Sequence, residues 1–538
     1  MALQQHCRDG RIREGFLVWA IVFASSALGR DAAKELTAVS GSGKLNIMFI
    51  TTDQQRTSTL KSYGNDFAHS ANLDRLADEG VRFTDAHTVS PVCSPSRTSI
   101  LTGVHVPIHG VYENGVIFHR TGLTPYFHPL KKRGYHTALI GKTHFNPVPR
   151  LWIDHLDMHT GNKDKRGPNQ PYTEFLETYL VNKTMKWIDS VTAPVGIAAG
   201  GGAGNKPWFV HLSMVSPHPP NWVPPGPWAH VYDDITLPPL TWQDGSISGL
   251  PYQTRMLLNL LGKEADDPPA FPGGRPNMSY VDQRVRFGTD HPDGRLNYYA
   301  QAAYVDHEVG RILDFLELRG LANNTLVIFT SDHGTELFDH GIGNDKHNFF
   351  DASLRVPLIM RLPGVLPAGA TREFATTLDV TATILAAAGA DIPADYQGFD
   401  LLAPVAAGKA SPRVVAVASE YRASALVTRN WKLAYFPEQN EGRLWNRAKD
   451  PKEENDLFGC KDSSVSEVRN GLLLALLRWR AQQDPLGYLR AHSIGGAPTA
   501  AAATNHTRHL KGIDAELALQ EDVTRLEQVW DKPTLIAV

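Results

Sequence analysis

Apolar segments rich in β-branched and aromatic residues alternate with segments of helical periodicity along most of this chain. The strand-like segments fall at 45–50, 81–88, 135–140, 208–214 and 326–330, and helices are predicted at 72–77, 126–133 and 296–318. Strands joined through helices pair in parallel and are covered on both faces. With 538 residues the chain is too long for one ordinary core. We therefore predict an α/β fold, with a large, mostly parallel sheet sandwiched by helices.

Polar residues follow four of the predicted strands closely. They are Asp53 and Gln54, Lys142 and His144, His218, and Asp332 and His333. Open α/β sheets place their chemistry at the carboxyl ends of the strands. We therefore expect these side chains to converge on one site.

The pattern changes after about residue 412. Short strands follow one another closely at 414–418, 425–428, 431–435 and 443–446, and helices are predicted at 465–483 and 513–529. This spacing is typical of an antiparallel sheet. We predict a catalytic domain at 44–411 and a smaller C-terminal α+β subdomain at 412–538. Residues 217–295 carry little periodicity and are interpreted as a long loop insertion over the site.

The N-terminus has the layout of an export signal. Arg8, Arg11 and Arg13 precede an apolar stretch at 16–28 that is too short to span a membrane stably. We expect a signal peptide at 1–29, a linker at 30–43, and a secreted, periplasmic or lumenal protein. The net charge of −3 gives no reason to expect a nucleic acid partner.

One local string carries a specific chemical signal. Residues 93–103 read Cys-Ser-Pro-Ser-Arg-Thr-Ser-Ile-Leu-Thr-Gly. A cysteine taken alone is most simply a buried apolar residue. The whole string, however, resembles the signature of the formylglycine-dependent sulfatases of the alkaline-phosphatase-like superfamily, and the resemblance extends from Asn46 to about Leu457. It implies that a formylglycine-generating enzyme oxidises Cys93 to an aldehyde whose hydrate attacks sulfur.

The resemblance also implies roles for the residues at the strand ends. Asp53, Gln54, Asp332 and His333 match the family's metal positions, with residue 93 completing the site of a divalent cation, expected to be Ca²⁺. The catalytic group comprises Cys93, Arg97, Lys142, His144, His218 and Lys346. Of these, Lys142 holds a sulfate oxygen, His144 assists collapse of the intermediate, and His218 and Lys346 contact the leaving oxygen. His105, His109, Tyr112, Asn114 and His347 are candidates to line the pocket, with Asn114 as a substrate-binding residue.

Three functions fit these residues. Hydrolysis of a sulfate ester is the leading hypothesis. A phosphonate monoester or phosphodiester hydrolase would share the fold, the formylglycine and a similar metal site. An unmodified Cys93 would leave a non-catalytic binder of sulfated glycans. Trp222, Trp228 and Trp242 in the long insertion could stack on sugar rings, which favours a sulfated carbohydrate as the ligand.

Overall fold

The computed structural model describes residues 44–118, 122–159, 171–193, 206–237, 294–341, 346–483 and 512–530. The expected signal peptide and linker, Trp242 and much of the long insertion lie outside the described residues. Among the helices within the described ranges, none is both long enough and apolar enough to cross a bilayer.

The larger sheet has eight strands in the order β4-β3-β5-β1-β6-β7-β2-β8. The strands are β1 Asn46–Asp53, β2 Val81–His87, β3 His136–Gly141, β4 His155–Met158, β5 Trp208–Pro217, β6 Thr325–Ser331, β7 Leu358–Arg361 and β8 Gly369–Thr376. Only β7 runs antiparallel to its neighbours in this sheet. The prediction of a large, mostly parallel sheet is confirmed.

Helices cover both faces of this sheet. They are α1 Ala71–Asp78, α2 Cys93–Thr102, α3 Val106–His109, α4 Phe127–Lys132, α5 Leu176–Thr192, α6 Gly294–Leu318, α7 Asp351–Leu354, α8 Thr377–Ala387 and α9 Leu402–Ala406. Successive side chains of a strand point to opposite faces. Ile47 and Phe49 of β1 accordingly pack in one apolar cluster with α2, α4 and α8, and Met48 and Ile50 pack in another with α1, α5 and α6.

A separate sheet follows in the C-terminal part of the chain. Its four antiparallel strands have the order β12-β11-β10-β9. They are β9 Ala416–Glu420, β10 Ala423–Val427, β11 Trp431–Phe436 and β12 Glu441–Asn446, followed by α10 Ser463–Gln482 and α11 Gly512–Trp530. The two helices pack on this sheet through Leu472, Leu476, Leu519 and Val523. The predicted α+β character of this region is therefore confirmed.

The order of the large sheet places the expected site residues together. Strands β3, β5, β1 and β6 are consecutive neighbours and all parallel. Their carboxyl ends therefore meet at one edge of the sheet, where Asp53, Lys142, His218 and Asp332 follow.

Candidate active site

Helix α2 presents its first residue, Cys93, to this edge of the sheet. Every residue of the helix is buried. Pro95 lies in the first turn, where backbone amides have no hydrogen-bond acceptor within the helix, so its missing amide hydrogen costs no helical hydrogen bond. The Ser94 amide donates to Oδ1 of Asn114 at 2.9 Å. The helix ends at Gly103, whose φ of 68° is left-handed and favours glycine.

Four side chains around Cys93 form a compact set of potential metal ligands. The ligand atoms of Asp53, Cys93, Asp332 and His333 all lie within 4.8 Å of one another, and all four residues are buried. His333 Nδ1 donates to the Gly334 carbonyl at 2.7 Å, which in the neutral ring leaves the lone pair on Nε2. Nε2 lies 3.1 Å from Cys93 Sγ. Carboxylate oxygens and an oriented imidazole are donor groups that fit a divalent cation.

Two cations hold the carboxylates of this set. Arg97 donates from Nε to Asp332 at 2.7 Å and from Nη2 to Asp53 at 3.2 Å. Lys142 Nζ lies 2.5 Å from Oδ2 of Asp53. Burial acts to raise the pKa of Asp53, but the charges of Lys142 and Arg97 hold that pKa well below its usual range. Asp53 is therefore a carboxylate at neutral pH.

Three further groups contact residue 93 directly. Lys346 Nζ donates to Cys93 Sγ at 3.2 Å and to Gln54 Oε1 at 2.9 Å. His144 and His218 also interact with Cys93. Burial acts to raise the pKa of the Cys93 thiol, but the charges of Lys142 and Lys346 bring that pKa well below its usual value. Position 93 is thus built to carry negative charge.

The ring of His218 has a defined orientation. Its Nδ1 donates to the Pro219 carbonyl at 2.6 Å, which leaves Nε2 with the lone pair. Burial, together with Lys346, lowers the pKa of His218 below its ordinary value. Asn221 Nδ2 donates to the Pro217 carbonyl at 2.8 Å and to Oε1 of Gln301 at 2.9 Å, and so ties the His218 turn to α6.

The charges of the site favour an anion. The cations Arg97, Lys142 and Lys346 outnumber the carboxylates Asp53 and Asp332. A bound divalent cation would increase that excess. Such a buried, positively charged cluster suits a sulfuryl group with its several oxygens.

Two residues expected near the ligand lie elsewhere. The His105 ring packs edge-on against Trp479, and its Nε2 lies 3.0 Å from Glu516, so the expectation that it lines the pocket is wrong. The prediction that Trp228 stacks on a sugar ring is also wrong, because its indole is buried against Tyr304.

The other candidates have mixed positions. His109 pairs with Ser99 Oγ at 2.9 Å, and the hydroxyl of Tyr112 accepts from Arg480 at 3.3 Å. Trp222 is half-buried in the turn that follows His218. His347 faces Glu420 of the C-terminal sheet.

Sequence reasoning missed residues that act on the site through others. Ser213 of β5 accepts from Arg97 Nη1 at 2.7 Å and so helps to fix the guanidinium. Thr51 of β1 pairs with Ser213 in the sheet, and its hydroxyl donates to Ser213 Oγ at 3.2 Å. No local motif marks these residues, because their roles arise from strand pairing.

Comparisons with known proteins agree with this geometry. Residues 45–390, more than half of the chain, match the sulfatase family profile, and residues 339–482 match the profile described as "N-sulphoglucosamine sulphohydrolase, C-terminal". An N-acetylglucosamine-6-O-sulfatase of Bacteroides thetaiotaomicron is 26% identical over 77% of this chain and 82% of its own length. An arylsulfatase of Clostridium perfringens is 28% identical over 78% of this chain and 91% of its own length.

Solved structures share the fold. A protein in complex with its substrate D-glucosamine-2-N,6-O-disulfate has a TM-score of 0.65 at 23% identity, covering 82% of this chain and 98% of that one. The phosphonate monoester hydrolase of Agrobacterium radiobacter has a TM-score of 0.66 at 23% identity, covering 82% and 96%. Together with the profile match, these findings show that the chain belongs to the sulfatase family and is a sulfuric ester hydrolase.

Proposed function

We propose that the protein hydrolyses the sulfate ester of a sulfated carbohydrate, using a formylglycine hydrate formed from Cys93 as the nucleophile. The observation that carries this proposal is the setting of residue 93. It lies at the first position of a buried helix, 3.1 Å from His333 Nε2 and 3.2 Å from Lys346 Nζ. These surroundings stabilise negative charge, which a buried structural cysteine with a neutral thiol does not require.

The hydrate explains why a single residue can complete the reaction. One of its hydroxyls attacks sulfur and displaces the alcohol. The other then loses its proton, and residue 93 returns to the aldehyde as sulfate leaves. His144 interacts with residue 93, and its buried Nδ1 has no hydrogen-bond partner among the described residues, so His144 is the proposed base for this second step.

Asp53, Asp332 and His333 are the proposed protein ligands of a divalent cation, and Gln54 remains a proposed fourth. Such a cation, proposed to be Ca²⁺, supplies charge neutralisation for the sulfate oxygens and favours the ionised nucleophile. Arg97 holds both carboxylates in place through its hydrogen bonds to Asp53 and Asp332. Lys142, 2.5 Å from Asp53, is proposed to hold a sulfate oxygen from the same side.

Lys346 and His218 are the proposed contacts of the leaving oxygen. The Lys346 ammonium reaches residue 93 and carries donors that can stabilise or protonate a departing alkoxide. The neutral His218 presents the lone pair of Nε2 and can therefore accept a hydrogen bond. It can donate a proton to the leaving oxygen only after it has itself been protonated. Lys346 is therefore the better candidate for the acid. Asn114, bonded to the amide at the start of α2, is the proposed further binding residue.

The carbohydrate part of the proposal comes from the relatives. One of them is named an N-acetylglucosamine-6-O-sulfatase, and one structural neighbour was solved with a disulfated glucosamine as its substrate. We further propose that residues 44–411 form the catalytic domain and 412–538 a C-terminal subdomain.

The deciding experiment has two parts. The first is the mass of the tryptic peptide Phe83–Arg97 from active protein, where an aldehyde at residue 93 is expected and an intact thiol would refute the proposed nucleophile. The second compares kcat/KM for N-acetylglucosamine 6-sulfate, 4-nitrophenyl sulfate and 4-nitrophenyl phenylphosphonate. Preference for the sulfated sugar is expected, preference for the phosphonate would favour the rival hydrolase, and binding without turnover by modified protein would favour a binder.

A further inference from the structure

The segment that carries Lys346 rests on the C-terminal sheet, whereas the other site residues extend from the large sheet and α2. We name residues 346–350 the Lys346 segment. Phe349 and Phe350 of this segment are buried in an apolar cluster with residues of that sheet. The contributing residues of β9 and β10 are Ala416, Ala418, Ala423, Ala425 and Val427. Lys432 of β11 also donates to the Phe349 carbonyl at 3.3 Å. The far end of the segment is therefore anchored on β9, β10 and β11.

The near end is held by a contact between His347 and the C-terminal sheet. Nδ1 of His347 contacts a carboxylate oxygen of Glu420, the last residue of β9. Glu420 is only 1% exposed, and among the described residues His347 is the side chain whose ring nitrogen lies against its carboxyl group. A buried polar group that loses its partner is destabilised. The structure therefore favours keeping the His347 ring against Glu420.

The backbone at this point also needs support. His347 has a φ of 74°, a left-handed conformation that a non-glycine side chain rarely adopts. Such a conformation is strained and persists only where the surroundings enforce it. The contact with Glu420 is in position to supply that enforcement.

We propose that Glu420 is a positioning residue for the departure of the alcohol: through His347 it fixes the backbone from which Lys346 reaches residue 93. The inference rests on the leaving-group role proposed for Lys346 above. The lysine side chain is long and flexible, so a fixed backbone origin, together with the hydrogen bond to Gln54, keeps the ammonium 3.2 Å from Cys93 Sγ. The C-terminal sheet thereby acts on one chemical step without touching the reacting atoms.

The test is the dependence of kcat/KM on the leaving group in the variant Glu420→Gln. The substrates are aryl sulfates whose phenols span a range of pKa. Poor leaving groups need Lys346 most, so we expect kcat/KM to fall about tenfold for the least acidic phenol and less than about twofold for the most acidic. The plot of log kcat/KM against phenol pKa thus becomes steeper. A role in stability alone would lower all points equally, and an unchanged slope would overturn the inference.

Lys346→Ala separates this inference from the proposed function. If the slope for Lys346→Ala equals that of the wild-type protein, the leaving-group role of Lys346 is wrong, and the inference about Glu420 is wrong as well. If Lys346→Ala steepens the slope while Glu420→Gln does not, only the inference is overturned. The double variant is expected to be no steeper than Lys346→Ala alone, because both changes act on the same contact.

Ser424→Ala provides the matched control. The Ser424 hydroxyl pairs with Ser419 at 2.9 Å within the same two strands, away from the Lys346 segment. Its loss removes one buried hydrogen bond of the sheet, and the slope is expected to stay unchanged. Should Glu420→Gln fail to fold, His347→Gln interrupts the same link from the other side. It is expected to steepen the slope, and an unsteepened slope in folded His347→Gln would also overturn the inference.

Discussion

Arg97 is the residue on which the geometry of the two buried carboxylates depends. Its guanidinium bonds to Asp332, Asp53, Ser213 and the Lys142 carbonyl. An ammonium is a single point donor and cannot occupy these directions together. The planar side chain therefore fixes two proposed metal ligands relative to each other and to residue 93.

Replacing Arg97 by lysine tests this function of the guanidinium. We expect kcat/KM for 4-nitrophenyl sulfate to fall about 100-fold or more, since preorganised groups of this kind contribute at that level. Affinity for Ca²⁺, measured by calorimetry on chelator-treated protein, is expected to fall about tenfold. Arg319→Lys, at the exposed pair with Asp189, is the control and is expected to leave both quantities unchanged. Wild-type Ca²⁺ affinity in Arg97→Lys would contradict the positioning role.

Cys93→Ala tests the nucleophile itself. The change removes the precursor of the aldehyde, so we expect turnover of 4-nitrophenyl sulfate to be undetectable. The circular dichroism spectrum should remain native, because alanine is tolerated at the first position of a buried helix. Cys93→Ser is expected to be equally inactive where only the cysteine-specific converting enzyme is present. Normal turnover by Cys93→Ala would refute the proposed mechanism.

At the same scale, prediction from the sequence succeeds where a residue belongs to a local string. Cys93 and Arg97 are four positions apart in one signature and meet the same cluster in the structure. Ser213 and Glu420 act on Arg97 and His347 across many residues of the chain. Contacts of that kind depend on which strands pair, and no local pattern encodes the pairing.

Helix α2 shows why the signature string closes with glycine. Gly103 has a φ of 68°, and a Cβ there would lie 2.4 Å from the Tyr396 ring. Tyr396 is itself buried, and its hydroxyl donates to the Thr124 carbonyl at 2.7 Å, so the ring has little room to move. The glycine therefore serves both the end of the helix and its close packing.

Gly103→Ala is accordingly expected to destabilise the protein. Left-handed strain contributes about 1 kcal/mol and the overlap with Tyr396 about 1–3 kcal/mol. The free energy of unfolding, measured by urea denaturation, should fall by more than it does in Gly110→Ala. Gly110 follows α3 with a φ of 75°, and a Cβ there would meet nothing within 4 Å. Equal losses in the two variants would show that packing against Tyr396 is unimportant.

The elements also show where periodicity stops being informative. The expected helices and strands appear with ends shifted by a few residues, as with 296–318 against Gly294–Leu318. Strands β4, β7 and β8 are absent from the sequence prediction, and β4 and β7, with four residues each, are too short to show a period. The antiparallel direction of β7 depends on its pairing with β6 and β2, which is a property of the tertiary structure.

At the scale of the whole molecule, a buried ionic network joins α8, which packs on the large sheet, to the C-terminal helix α11. Arg413 forms a two-pronged pair with Asp379 of α8 at 2.6 and 2.7 Å. Its Nη1 reaches Glu516 of α11 at 2.8 Å. Glu516 also accepts from the Trp479 indole at 3.0 Å and faces His105. The partners come from distant parts of the sequence, so only the folded chain could identify the network.

This network makes the attachment of α11 dependent on pH. Burial acts to raise the pKa of Glu516, but His105 and Arg413 lower that pKa from its ordinary value of 4.5 to about 2. Because the folded-state pKa is depressed, the stabilisation is present in full above the unfolded value and is lost as pH falls through the window from 4.5 to about 2. The difference in pKa corresponds to about 3 kcal/mol.

Glu516→Gln should therefore lose stability mainly at neutral pH. At pH 7 we expect hydrogen exchange in α11 to be faster in Glu516→Gln than in the wild-type protein. The difference between the two proteins in the free energy of opening should shrink as the pH approaches 3. Glu521→Gln, at the exposed pair with Arg525 on the same helix, is the control, and its hydrogen exchange should match that of the wild-type protein at every pH. A difference that stays constant from pH 7 to 3 would mean that the carboxylate charge is not what holds α11. Since Glu516 pairs with His105, which follows α2, acid release of α11 would also remove support from the helix that begins at Cys93.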